Sequence, residues 1–220
     1  MFSFFSRSKT NRNLPSWANE YLSLDFKKDQ KALAGEVTYV VLDCETTGLS
    51  KSDHIVTIGA VKCTSREIFV DQLLDQKYSK NSFGKSSEIH GELGQIEKCD
   101  TDKLHKELIN FLWNHIVVGH NITFDIGMIS RSLKQSHGFQ LRNMILDTFS
   151  LATRVDPVKY ERNIGGKDLL QLDTLCLENH IEIQNRHTAL GDAYMTAQLL
   201  QKLLTKLRKR GIHKVSELRN

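Results

Sequence analysis

Val37-Thr-Tyr-Val-Val-Leu42 is a run in which nearly every position is apolar or β-branched, the pattern of a strand buried on both faces. His54-Ile-Val-Thr-Ile-Gly-Ala-Val-Lys62 and Glu67-Ile-Phe-Val-Asp-Gln-Leu-Leu74 read as two more strands, joined by the polar turn Cys63-Thr-Ser-Arg66. Residues 84–94 form a polar loop region. The period then changes. Leu104, Leu108, Phe111 and Leu112 predict a helix over 102–113, capped by Thr101 or Asp102. Ile116-Val-Val-Gly119 is a short buried strand, followed by a helix over about 122–133, a strand at 144–147, and helices near 148–154, 167–179 and 188–210. Upstream, Pro15-Ser16 with Trp17, Tyr21, Leu22 and Leu24 predicts a short helix with an apolar stripe. A strand meander followed by strand–helix alternation predicts an α/β fold, a mixed sheet flanked by helices.

With 220 residues the chain suits one sizeable domain. We place it at 37–210, after a basic N-terminal extension (1–36) with its helix and before a short C-terminal tail (211–220). The extension either packs onto the domain or serves a partner.

Composition narrows the class. With 40% hydrophobic and 25% charged residues the chain reads as an ordinary globule. No apolar run reaches the roughly 18–20 residues of a membrane span, and the N-terminus lacks a secretory pattern. The expectation is a cytoplasmic protein with no membrane partner. Cys44, Cys63, Cys99 and Cys176 are scattered without a Cys-x-x-Cys pair, which suits reduced thiols rather than zinc or disulfides. The net charge of +4 hides a division. Residues 1–35 carry six Lys/Arg against three Asp/Glu, and 201–220 carry seven against one, which leaves −5 for 36–200. The basic C-terminal run either holds a phosphate backbone or is the solvated face of a helix.

Three short boxes carry the chemistry: Asp43-Cys-Glu45-Thr-Thr-Gly-Leu49, His120-Asn-Ile-Thr-Phe124-Asp125, and His187-Thr-Ala-Leu-Gly-Asp192. Alternate residues on a strand share a face, so Asp43 and Glu45 point to one place. Two carboxylates that close repel unless a cation lies between them. Asp125 follows a buried strand, where open sheets collect ligands, although a helix start also favours an acid there. His120 and Asn121 either orient the backbone or touch substrate. Five residues on a continuous helix would not align His187 with Asp192, so His187 belongs on the loop before the last helix. There a histidine can act as a base near neutrality. Together these boxes supply four carboxylates and a histidine, a set suited to two hard cations around a phosphate.

The boxes resemble the motifs of the DnaQ-like (DEDDh) 3′–5′ exonucleases, the family of the proofreading epsilon subunit of bacterial DNA polymerase III. Asp43-x-Glu45-Thr-Thr-Gly-Leu, His120-Asn-x-x-Phe124-Asp125 and His187-x-Ala-x-x-Asp192-Ala carry the resemblance, with Ile89-His90-Gly91 similar to a substrate-side segment. The likeness spans about residues 37–205. It implies a ribonuclease H-like, five-stranded exonuclease domain and two Mg²⁺ or Mn²⁺ ions. Asp43 would bridge both ions, Glu45 and Asp192 would complete one site, and Asp125 would support the other. His187 would be the general base, releasing nucleoside 5′-monophosphates. Thr46, Leu49, His90 and Phe124 would hold the terminal nucleotide, with Asn121 beside them. The implied partners are single-stranded DNA 3′ ends, with RNA or short oligonucleotides as the alternative; a stand-alone enzyme is expected, with a DNA polymerase partner as the other reading. Cys44 stands where bulkier or aliphatic residues are usual, and its side chain should face away from the metals.

Overall fold

A computed structural model describes residues 14–48, 50, 53–78, 99–158 and 167–219. Five strands form one mixed sheet in the order β3-β2-β1-β4-β5. They are β1 (Tyr39–Thr46), β2 (Ile55–Cys63), β3 (Ile68–Lys77), β4 (Ile116–Gly119) and β5 (Ile145–Asp147). β1 pairs antiparallel with β2 and parallel with β4; β3 extends the antiparallel side and β5 the parallel side. β1 is therefore central, as its unbroken apolar run requires.

Period-two alternation along β1 divides the core. Tyr39 and Val41 face one layer with Val61, Cys63 and Val118. There they meet α4 (Thr148–Val155), α5 (Leu172–Glu178) and the long α6 (Ala189–Lys209), whose Met195, Leu199, Leu200, Leu203 and Leu207 are buried. Val40 and Leu42 face the opposite layer with Ile58, Ala60 and Val117. That layer is closed by α1 (Ser16–Leu22), α2 (Thr101–Leu112) and α3 (Thr123–His137).

The basic ends join these layers. On α1 the buried Tyr21 hydroxyl donates to Asn143 Oδ1 (2.6 Å) and accepts from the Arg142 amide (2.7 Å), and Trp17 meets His137 and Phe139 edge-on. Near the C-terminus, the Ala34 amide donates to the His213 carbonyl and the Val215 amide to the Ala32 carbonyl. Val215 and Leu218 are buried in the α6-side core. On α6 itself, Lys202, Lys206, Arg208 and Lys209 are exposed while Leu203 and Leu207 are buried, the arrangement of a solvated helix face.

Several local boundaries differ from the sequence reading. The α2 cap is Asp100, whose side chain accepts from the Lys103 amide (3.0 Å), rather than Thr101 or Asp102. The helix expected over 167–179 is split into a 3₁₀ turn at Lys167–Leu170 and α5. β3 runs on to Lys77 and α3 to His137, past the expected ends at Leu74 and Leu133. Residues 84–94, expected as a loop, lie outside the described residues, as do 1–13. No described helix is long and apolar enough to cross a membrane.

Candidate active site

Strand parity brings the first two acids together. Asp43 and Glu45 follow Tyr39 and Val41 on the α6 face of the sheet, whereas Cys44 packs with the opposite core, away from that pair as the sequence suggested. The third acid comes from α6, and the sheet makes room for it at Gly59. This glycine pairs with Asp43 across β1 and β2. A Cβ on it would lie 2.1 Å from the Leu190 nitrogen and 2.3 Å from the Ala189 carbonyl carbon. Only a bare backbone lets the first turn of α6 rest on β2. Ligand atoms of Asp43, Glu45 and Asp192 then lie within 4.8 Å of one another.

Asp125 reaches the site from the other layer. It lies in the first turn of α3 and is 7% exposed, and its Oδ1 accepts from the Cys44 amide (3.0 Å). The carboxylate thus grips β1 between the other two acids. It is adjacent to the triad but not one of its three members.

His187 lies two residues before α6, on the loop side as expected, and is exposed with a left-handed backbone (φ 64°). The helix behind it is capped by Thr188, whose hydroxyl accepts from the Gly191 amide and donates to the Asn185 carbonyl (2.6 Å). A groove of about 820 Å³ starts at Glu45, Thr46 and His187 and crosses β2 and β3 to Val70 and Leu73.

The remaining candidates separate. His120 is held at both ring nitrogens, by Thr148 Oγ1 (2.9 Å) and the Leu170 carbonyl (2.8 Å), and burial lowers its pKa. It braces β4 against α4 and the 3₁₀ turn. Asn121 has left-handed backbone (φ 57°), an exposed side chain, and an amide bound to Asp147 Oδ1 (2.9 Å). The Thr46 hydroxyl donates to the Gly48 carbonyl (2.8 Å), and Phe124 packs against the α3-side core. Leu49 and His90 lie outside the described residues.

Arg186 is a residue the three boxes did not include. Its Nη1 donates to Asp192 Oδ2 and its Nε to Asp173 Oδ1 on α5. Gly59 was also missed; its sign in the sequence is a glycine inside a β-branched strand run.

The electrostatics are those of crowded acids. Burial above all, then the charges of Asp125, Asp192 and Glu45, push Asp43 up to about 8, against the pull of Arg186. Burial lifts Asp125 to about 6, opposed by amide hydrogen bonds from its own residue and Cys44. Glu45 and Asp192 are raised as well, chiefly by burial. Asp192 is 4% exposed, and its Oδ1 has no hydrogen-bond partner among the described residues. A buried, unpaired carboxylate oxygen among repelling acids fits a hard divalent cation.

A pH prediction follows from these shifts. Between about pH 4 and 8 the folded, metal-free protein holds a proton on Asp43 that the unfolded chain has released, so stability falls as pH rises through that window. Asp125 adds the same slope up to about pH 6. The melting-temperature gain from saturating Mg²⁺ or Mn²⁺ should therefore be larger at pH 8 than at pH 6. Equal gains at both would mean that these protons do not compete with the cation.

The sequence profile of the RNase_T exonuclease family matches residues 40–200. The chain belongs to this exonuclease family. The chain is 33% identical over 192 residues to a PolC-type DNA polymerase III of Thermotoga maritima, covering 84% of this chain and 13% of that protein. The Clostridium perfringens PolC-type enzyme is 32% identical over 192 residues, with coverage of 82% and 12%. The chain thus spans only about an eighth of the length of these curated relatives. In fold it is similar to E. coli Exonuclease I in complex with a dT13 oligonucleotide (TM-score 0.56, 15% identity, 80% of this chain and 43% of that one). It is also similar to the nuclease domain of 3′hExo, a DEDDh family member bound to rAMP (TM-score 0.54, 9% identity, 76% and 92%). The ribonuclease H-like fold and the DnaQ-like membership expected from the motifs are both established.

Proposed function

We propose that this exonuclease removes nucleotides from single-stranded DNA 3′ ends, with Asp43, Glu45, Asp125 and Asp192 holding two Mg²⁺ or Mn²⁺ ions. The observation that carries this reading is the meeting of Asp43, Glu45 and Asp192, whose ligand atoms lie within 4.8 Å of one another. When bound, such ions activate the attacking water and stabilise the leaving 3′ oxygen. The chain's own groups do the rest. His187, exposed beside Glu45, takes the proton of the attacking water. Thr46, Asn121 and Phe124, with Leu49 and His90, seat the terminal nucleotide, whose base is held by stacking that tolerates any sequence. The product is a nucleoside 5′-monophosphate.

DNA is favoured over RNA because the relatives about a third identical to this chain over the aligned 192 residues are DNA polymerases. The same relatives support a polymerase as the partner beside which the exonuclease trims 3′ ends. The rAMP bound to 3′hExo supports exoribonuclease action as the second reading.

Digestion of 5′-labelled single-stranded DNA and RNA of one sequence, with Mg²⁺ or Mn²⁺, tests both. A one-nucleotide ladder on DNA is expected, absent with Asp43→Ala. A ladder on RNA alone would move the exonuclease to RNA processing, and a ladder that survives Asp43→Ala would refute the site. His187→Ala should slow hydrolysis by roughly 10²–10⁴-fold at saturating metal. A near-normal rate would remove His187 as the base.

A further inference from the structure

Arg186 lies between two residues with left-handed backbone, Asn185 (φ 50°) and His187 (φ 64°). Non-glycine residues persist in that region only where their surroundings hold them. Arg186 supplies part of that hold. Its guanidinium forks between α5 and α6, with Nε on Asp173 Oδ1 and Nη1 on Asp192 Oδ2. Asp173 is more exposed than Asp192, with side-chain exposures of 40% and 6%. Arg186 is therefore anchored near solvent at one end and reaches into the acidic cluster at the other.

The two oxygens of Asp192 are in this way given different surroundings. Oδ2 is taken by the guanidinium, while Oδ1 is buried with no hydrogen-bond partner among the described residues. A carboxylate that offers one oxygen suits Mg²⁺, which demands near-octahedral ligands at short distance. Ca²⁺ takes six to eight oxygens and commonly uses both oxygens of one carboxylate. We propose that Arg186 sets the metal preference of the site. By occupying Oδ2 it limits Asp192 to one ligand oxygen, which disfavours Ca²⁺ relative to Mg²⁺ and Mn²⁺. The inference rests on the reading of Asp43, Glu45 and Asp192 as cation ligands.

Charge and geometry are separable here. A guanidinium beside the cluster weakens the binding of every divalent cation, and to first order it weakens Mg²⁺ and Ca²⁺ alike. The ratio of their affinities therefore reports how many oxygens Asp192 offers, whereas the absolute affinities report the charge.

The test needs no nucleic acid and no turnover. Free Mn²⁺ is followed by electron paramagnetic resonance while Mg²⁺ or Ca²⁺ displaces it from the full chain, as wild type, Arg186→Gln and Asp173→Asn. Arg186→Gln should bind all three ions more tightly, with Ca²⁺ gaining roughly tenfold over Mg²⁺ as Oδ2 becomes available. Asp173→Asn loosens the guanidinium without removing it and should shift the ratio the same way by a smaller factor. An unchanged Ca²⁺/Mg²⁺ ratio in Arg186→Gln overturns the inference and leaves the metal site standing. If Arg186→Gln does not fold, as judged by circular dichroism, the ratio in Asp173→Asn decides. Failure of the wild type to bind Mn²⁺ overturns the proposed function itself.

Discussion

Asp43→Asn should abolish strand digestion, lowering the rate by about 10⁴-fold or more, the scale of removing one member of a catalytic unit. The same substitution should make the metal-free protein melt at a higher temperature at pH 8. Both effects have one cause. Burial, and after it the charges of Asp125, Asp192 and Glu45, raise the pKa of Asp43 to about 8. Without a cation, each charge in that cluster works against the fold. An amide of the same shape carries no charge, so folding no longer opposes repulsion at this position. The gain should be about 1–2 kcal/mol, or roughly 2–8 °C for a chain of this size. Saturating Mn²⁺ should reverse the order, since only the wild type gains from binding it. Thermal unfolding of both proteins at pH 8, with and without Mn²⁺, reads this directly. A mutant less stable than the wild type in the absence of metal would show that Asp43 is a structural hydrogen-bonding group and not one of a repelling set.

Gly59→Ala should also be harmful, although residue 59 bears no functional group. The added Cβ would lie 2.1 Å from the backbone of Leu190, where no side-chain rotation relieves it. The first turn of α6 must move off β2, and Asp192 and His187 move with it. Overpacking of this kind costs about 1–3 kcal/mol. A displacement of about 1 Å at the reacting groups costs on the order of 10²-fold in rate. Gly127→Ala is the control. Gly127 is exposed on α3 and its Cβ would meet nothing within 4 Å, so it should add up to about 1 kcal/mol through helix propensity and leave the rate alone. Melting temperature, turnover and Mn²⁺ affinity of the two variants give the comparison. Wild-type turnover in Gly59→Ala would mean that α6 can shift without carrying its acid out of reach.

The elements were legible wherever one period ran without competition. The buried run before Asp43 and the leucine stripe of α6 announce themselves because backbone geometry alone sets periods of two and of 3.6 residues. Boundaries were less secure. Asp100, Thr101 and Asp102 can each cap α2, and only the relaxed backbone selects Asp100. Likewise, no single breaker in the sequence marks where the 3₁₀ turn at Lys167–Leu170 gives way to α5.

The sequence by itself determined that Asp43 and Glu45 share a face, that His187 precedes a helix carrying Asp192, and that these groups suit cation and phosphate chemistry. Each of those properties is local, set by a few consecutive residues. Tertiary structure alone decided that α6 settles on Gly59 and so brings Asp192 to Asp43. It also decided that Asp125 binds the Cys44 amide from the opposite layer, and that Arg186 takes one oxygen of Asp192 and leaves the other unpaired. The first two contacts join residues far apart in the chain, and the third bridges a loop whose path is set by α5 and α6. They depend on the volume between packed layers and on which buried polar atoms find partners there, and no local period encodes either.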